Sequence, residues 1–151
     1  MKKMICVLLS AIMVLSLSAC GSGNASGAKQ TASAYLDQAG DAAVEVTVDL
    51  SGGWSVEFAR GAAYLYDGEI TEGKESGAML ITLDKEVYED HLADAMADGN
   101  HKEAGGGVYY TYSENEGGYL TSLNDSAFIL ITASEADIEA IVARIALALA
   151  N

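Results

Sequence analysis

Between residues 44 and 132, apolar side chains alternate with polar ones in short segments, and this pattern leaves few folds open to the chain. In Val44–Leu50, every second residue is valine or leucine, with acidic or threonine residues between them. A period of two places side chains on one face of a β-strand, so this segment predicts a half-buried strand. Other short apolar and aromatic segments, bounded by turn sequences such as DG, ENEGG and NDS, predict six further strands: WSVEF, AAYLYD, MLITL, VYYTYS, YLTSL and AFILIT.

Two segments with helical spacing follow runs of these strands. Asp84 precedes a predicted helix over Lys85–Asp98, and Ser134 precedes another over Glu135–Ala150. Aspartate and serine side chains can accept a hydrogen bond from the first helical N–H groups, so both residues are suitable caps. Runs of strands that end in a helix are typical of the α+β class with a mostly antiparallel sheet.

The two strand–helix segments also resemble each other. Leu80-Ile81-Thr82 and Leu130-Ile131-Thr132 align without gaps, and the helices that follow them continue the alignment. Either duplication or convergence on the same strand–cap–helix chemistry explains the pattern. In both cases we expect a single mostly antiparallel sheet with the two helices packed on one face.

The order of these elements is similar to the PsbP-like fold, which bacterial lipoproteins also use. The resemblance rests on the GGWSVEF strand, the helix after the middle strands, and the hairpin strands that lead to a terminal helix, and it covers Val44–Ala150. It implies a small accessory or binding role and no conserved catalytic set.

The first twenty residues carry a second resemblance. Lys2 and Lys3 precede the apolar segment Met4–Leu17, which is too short to span a membrane and is typical of a secretory signal. The residues LSAC that end at Cys20 resemble the lipobox of bacterial lipoproteins. This resemblance implies cleavage before Cys20 and a diacylglyceryl group on its thiol. The alternative is an ordinary signal peptide cleaved near Ala19.

These features predict a domain organisation and a location. Residues 1–19 form a lipoprotein signal peptide, residues 20–41 a lipidated flexible linker rich in Gly, Ser and Ala, and residues 42–151 a single α+β domain. Because two acyl chains on one residue anchor a protein stably, we expect a lipid-anchored protein at the extracytoplasmic face of the cell membrane.

Charge and cysteine content restrict the partners. Removal of residues 1–19 leaves six basic residues against 22 acidic ones, and no cysteine besides Cys20. Such a surface repels phosphates and anionic headgroups, which argues against nucleic-acid binding. We therefore expect cationic or neutral partners, and the sequence leaves the oligomeric state open.

We expect no catalytic residue, metal site or cofactor in this chain. Gly68–Lys74 matches part of a phosphate-binding loop, but Glu75 replaces the hydroxyl residue that such a loop needs. Two alternatives remain. One is an exported hydrolase whose unrecognised site uses His91, His101 or the acidic helix over Lys85–Asp98, and the other is a weak divalent-cation-binding protein that uses the same helix.

Aromatic residues give the best candidate for ligand contact. Tyr110 and Tyr112 lie on one side of their predicted strand, and we expect them to be an exposed pair. The sequence therefore predicts a non-catalytic binding or accessory module at the cell envelope. An envelope protein, a peptide or a saccharide would suit it equally.

Overall fold

The computed structural model of the chain describes residues 30–37 and 42–150. Within these ranges the chain forms ten β-strands and two α-helices. They are β1 (Thr31–Leu36), β2 (Val44–Asp49), β3 (Trp54–Ala59), β4 (Ala62–Asp67), β5 (Ala78–Leu83), α1 (Lys85–Ala97), β6 (Lys102–Ala104), β7 (Gly107–Ser113), β8 (Glu116–Leu123), β9 (Ala127–Ser134), α2 (Ile138–Val142) and β10 (Ile145–Leu149). All seven predicted strands and the first predicted helix are confirmed.

The strands form two sheets, and every strand pair within the described ranges is antiparallel. A small sheet has the order β1-β2-β10, and a large sheet has the order β3-β4-β5-β9-β8-β7-β6. The α+β class with mostly antiparallel strands is therefore correct, but the prediction of a single sheet is wrong. Since β9 is buried at every position except its last, the large sheet carries apolar side chains on both faces and needs a layer on each.

The two helices lie on opposite faces of the large sheet, so the prediction that both cover one face is also wrong. Helix α1 packs with Leu120 and Leu130 in one apolar cluster, whereas α2 joins the cluster between the two sheets, which contains Ile129 and Ile131. The pairing of β5 with β9 shows which of their residues lie on the same face of the sheet. Leu80 pairs with Ile131, so Leu130, the counterpart of Leu80 in the sequence alignment, points the other way.

The predicted terminal helix over Glu135–Ala150 is wrong in most of its length. Helix α2 covers only Ile138–Val142, and Ser134 is the last residue of β9 and not a helix cap. Residues 145–149 instead form β10, whose residues alternate between half-buried and exposed as it pairs with β2. The sequence IALAL suits a helix by propensity, but pairing with β2 satisfies its backbone while Ile145, Leu147 and Leu149 pack on the core.

The folded part begins earlier than the predicted boundary at residue 42. Residues 31–36, inside the predicted linker over 20–41, form β1 and pair with β2 along its full length. Leu36 of β1 is buried in the core between the two sheets. The predicted signal peptide over 1–19 and the predicted lipidation site at Cys20 lie outside the described residues.

Candidate functional site

A groove of about 580 Å³ opens between α1 and the outer edge of the large sheet. We call it the α1 groove. Its lining consists of Tyr88, Leu92 and Met96 of α1, Glu103 and Ala104 of β6, Gly106 of the turn, and Gly107 and Val108 of β7. Apart from Glu103 and the Tyr88 hydroxyl, all of the side chains that line the groove are apolar, so it suits an apolar ligand surface.

The groove exists because the apolar stripe of α1 is wider than the surface that the sheet offers it. Ala95 is fully buried against the sheet, and Tyr88 and Leu92 are half-buried. Met96 lies one turn after Leu92 and keeps 44% of its surface exposed. An apolar side chain left exposed beside other apolar side chains marks a surface that can bind a partner.

The opposite wall of the groove is held by a tight turn between β6 and β7. Gly105 and Gly106 have φ angles of 64° and 81°, in the left-handed region that glycine tolerates best. The hydroxyl of Tyr119 donates a hydrogen bond to the Gly105 carbonyl at 2.9 Å, and that of Thr121 donates to the Gly106 carbonyl at 3.1 Å. A Cβ at Gly107 would lie 2.3 Å from the carbonyl oxygen of Leu120, so this wall requires a glycine there.

The carboxylate of Asp98 fixes the C-terminal end of α1 to β7. Its two oxygens accept hydrogen bonds from the backbone N–H groups of Thr111 at 2.7 Å and Asn100 at 3.0 Å. These backbone hydrogen bonds, first that from Thr111, hold the pKa of Asp98 below its ordinary value. This acidic residue of the predicted cation-binding helix therefore has a structural role in positioning the helix beside the groove.

Tyr110 is buried, so the prediction of an exposed tyrosine pair is wrong for this residue. It is 7% exposed, and its ring lies over Gly118, where a Cβ would come within 2.6 Å of the ring. Its hydroxyl has no hydrogen-bond partner among the described residues. Burial raises the pKa of Tyr110 to about 12, with smaller contributions from Tyr112 and Asp94. The cause of its burial is α1, which covers this face of β7.

Tyr112 is the exposed member of the predicted pair, with 39% of its surface accessible. Its ring centroid lies 6.3 Å from that of Tyr110 in an edge-on arrangement and 6.0 Å from that of His91. Neither tyrosine lines the α1 groove. The structure thus brings together Tyr112, Tyr110 and His91, while the groove is formed by residues that the sequence did not single out.

The two histidines of the alternative hydrolase contact a tyrosine ring and a backbone oxygen. His91 is half-buried beside Tyr112, and Nδ1 of His101 lies 2.6 Å from the backbone oxygen of Asp98. In the described part of the chain, no group of three or more His, Cys, Asp or Glu side chains is arranged to hold a metal ion. Neither histidine contacts a serine or threonine hydroxyl among the hydrogen bonds of these residues.

The groove residues that sequence reasoning missed carried a weak signal. Tyr88, Leu92 and Met96 follow one another at intervals of four residues and so share one helical face, and this spacing alone predicts that the face is buried. Residues 104–108 contain three consecutive glycines, which predict a tight turn. They do not indicate which element packs beside that turn. The groove depends on the gap between α1 and this turn, which no local pattern encodes.

Comparison with known proteins gave no match to a protein-family model, a curated protein or a solved structure. No helix within the described ranges is both long and apolar enough to cross a membrane.

Proposed function

We propose that the protein is a lipid-anchored, non-catalytic binding module that holds a partner in the α1 groove at the extracytoplasmic face of the cell membrane. The observation that carries the binding role is the groove itself, in which Met96 remains exposed beside the apolar side chains of Leu92 and Val108. The lipobox at Cys20 supports the location.

The distance between the anchor and the folded part favours action close to the membrane. Ten residues separate Cys20 from Thr31, the first residue of β1. Ten residues span at most about 35 Å when fully extended. A lipid on Cys20 would therefore keep the groove within reach of envelope components and raise its effective concentration for them.

The negative net charge of the chain favours a protein or peptide partner over nucleic acid or an anionic lipid headgroup. The described residues contain 21 acidic and five basic side chains, so nucleic acid and anionic headgroups would be repelled. The lining of the groove offers few polar side chains to bind the hydroxyl groups of a saccharide. An apolar segment of an envelope protein fits these conditions better.

The anchoring half of the proposal is tested by metabolic labelling with a fatty-acid analogue. Wild-type protein should take up the label and enter the detergent phase of a phase separation, because its acyl chains partition with the detergent. Cys20→Ser should remain unlabelled and aqueous. If wild type and variant both stay in the aqueous phase, the protein carries no lipid and this half of the proposal is wrong.

The binding half is tested in intact cells by a photoreactive amino acid at position 96, in the groove. The control carries the same amino acid at position 87, where Val87 is similarly exposed on α1 but does not line the groove. We expect a discrete cross-linked product from position 96 only, and its loss when Cys20→Ser is added. Equal products from both positions, or none from position 96, would contradict binding in the groove.

A further inference from the structure

We propose that a small polar cleft at one end of the large sheet binds a single neutral sugar residue. The cleft has a volume of about 190 Å³ and lies where β5 and β8 begin and β9 ends. We call it the β9 cleft, and its lining includes Ser76, Met79, Glu116, Thr132 and Ser134. It shares no lining residue with the α1 groove, so this inference does not depend on binding in the groove.

Antiparallel pairing brings these side chains together from three strands. Thr132 of β9 lies opposite Met79 of β5, and Ser134 of β9 lies opposite Glu116 of β8. Residues two apart in a strand point to the same face of a sheet, and so do residues directly opposite each other. The four side chains therefore lie on one face of the large sheet.

The hydroxyl of Thr132 is the observation that points to a ligand. Thr132 is 8% exposed, yet its hydroxyl forms no hydrogen bond within the described ranges. Unlike the hydroxyl of Tyr110, it is not fully enclosed, so it meets solvent in the cleft that Thr132 lines. A buried hydroxyl without a partner is costly, and a ligand that hydrogen-bonds to it would recover that cost.

Three further polar side chains line the same cleft. The half-buried Ser76 forms no side-chain hydrogen bond in the part of the chain that the structure describes. The Ser134 hydroxyl donates to Asp137 at 2.6 Å, which leaves its oxygen free to accept. One carboxylate oxygen of Glu116 accepts from Ser113 at 2.6 Å, and the other has no partner among residues 30–37 and 42–150. The cleft can therefore donate to and accept from a ligand with several hydroxyl groups.

Size and charge disfavour other classes of ligand. The cleft is smaller than the roughly 300–1,000 Å³ of pockets for drug-sized molecules, so it suits a single small ring. Among the described residues no lysine or arginine lines it, and Glu116 is acidic, which disfavours phosphates and carboxylates. The thioether of Met79 and the neighbouring Ala78 and Ala133 offer apolar contact to the C–H groups of a sugar ring.

The test uses the full-length protein, purified in a zwitterionic detergent that carries no sugar headgroup. The probes are the methyl glycosides of glucose, galactose, mannose and N-acetylglucosamine. Saturation-transfer NMR detects weak binding, and titration gives the dissociation constants. We expect at least one glycoside to bind saturably. Tetrahydropyran-2-methanol, which keeps the ring without its hydroxyl groups, and glucuronic acid, which adds negative charge, should not bind.

Two matched threonine variants locate the binding. Thr132→Val and Thr121→Val each remove the hydroxyl of a buried threonine, with exposures of 8% and 6% in the wild type, and only Thr132 lines the cleft. We expect Thr132→Val to weaken glycoside binding by about tenfold, because a hydrogen bond to the ligand is lost, while the thermal midpoint stays at least as high as in the wild type. Thr121→Val should lower the thermal midpoint, because its hydroxyl donates to the Gly106 carbonyl, and should leave glycoside binding unchanged.

A third variant separates a neutral ligand from a cationic one. Glu116→Gln keeps an oxygen that accepts hydrogen bonds and removes the charge, so the affinity for a neutral glycoside should change by less than about threefold. Binding of glucosamine alone, a cation at neutral pH, together with its loss in Glu116→Gln, would overturn the neutral ligand.

Two other outcomes would also overturn the inference. Equal effects of Thr132→Val and Thr121→Val on glycoside binding would place the sugar outside the β9 cleft. Absence of binding by all four glycosides would mean that the cleft holds only water. Neither result bears on the α1 groove, which the cross-link at position 96 tests separately.

Discussion

Removing one oxygen atom from the core should make this protein more stable. The hydroxyl of Tyr110 is buried and has no hydrogen-bond partner among the described residues, while the rest of the ring packs over Gly118. A buried hydroxyl without a partner costs about 1–3 kcal/mol of desolvation. Tyr110→Phe keeps the ring and removes that cost, so the free energy of unfolding should rise by about 1–3 kcal/mol.

Tyr119 on the adjacent strand β8 provides the matched control. It is also buried, and a Cβ at Gly107 would clash with its ring, but its hydroxyl donates a hydrogen bond to the Gly105 carbonyl at 2.9 Å. Tyr119→Phe should therefore lower the free energy of unfolding by about 0.5–1.5 kcal/mol. In a thermal melt, each kcal/mol corresponds to a shift of roughly 3–6 °C for a domain of this size.

The assay is denaturant and thermal unfolding of both variants, followed by circular dichroism, with a titration at alkaline pH. The folded-state pKa of Tyr110 is raised from 10.0 to about 12, so the folded protein binds this proton more tightly than the unfolded chain. Ionisation of Tyr110 therefore leaves the free energy of unfolding unchanged below pH 10.0 and lowers it as the pH rises from 10.0 toward about 12. Tyr110→Phe should flatten the fall in stability across this window.

One result would refute this reasoning. If Tyr110→Phe destabilises the protein to the same extent as Tyr119→Phe, the Tyr110 hydroxyl has a partner such as a buried water molecule. The packing of α1 over β7 would then enclose a polar site and not an apolar one.

Two further predictions concern the end of α1 and the last strand. Asp98→Asn should lower the thermal midpoint at neutral pH, because one amide oxygen replaces two carboxylate oxygens that accept backbone hydrogen bonds. Asp90→Asn, on the exposed side of the same helix, should leave the thermal midpoint unchanged. The pKa of Asp98 is lowered in the folded state, so the contribution of its carboxylate to stability is present above the ordinary value of 3.8 and is lost as the pH falls through the lowered pKa. Thermal melts of wild type and Asp98→Asn should therefore converge in acid. Leu147→Lys should destabilise the protein and Ala148→Lys should not, since only Leu147 packs on the core; equal effects in thermal melts would contradict a strand over 145–149.

The local pattern of the sequence was sufficient to predict most of the secondary structure. In β2–β5 and β7–β9, the spacing of apolar residues and the turn sequences between them indicated the strands, and the spacing in α1 indicated a helix. These signals are local, because the period of a strand or helix determines which side chains share a face.

The elements that sequence analysis missed depend on pairing with distant residues. Residues 31–34 have small and polar side chains that are equally common in linkers, and residues 31–36 form a strand because Val44–Asp49 offers a complementary edge. Residues 145–149 favour a helix by composition, yet they pair with the other edge of that same strand. Both cases show tertiary pairing that overrides local preference.

The sequence alone determined that the chain is acidic and that Tyr110 and Tyr112 lie on the same side of a strand, and it carries the resemblance to a lipobox at Cys20 on which the proposed location rests. Only the tertiary structure decided that α1 buries Tyr110 and leaves Tyr112 exposed. It also decided that Met96 borders an open groove, because the width of the gap between α1 and the β6–β7 turn follows from packing between segments far apart in the chain.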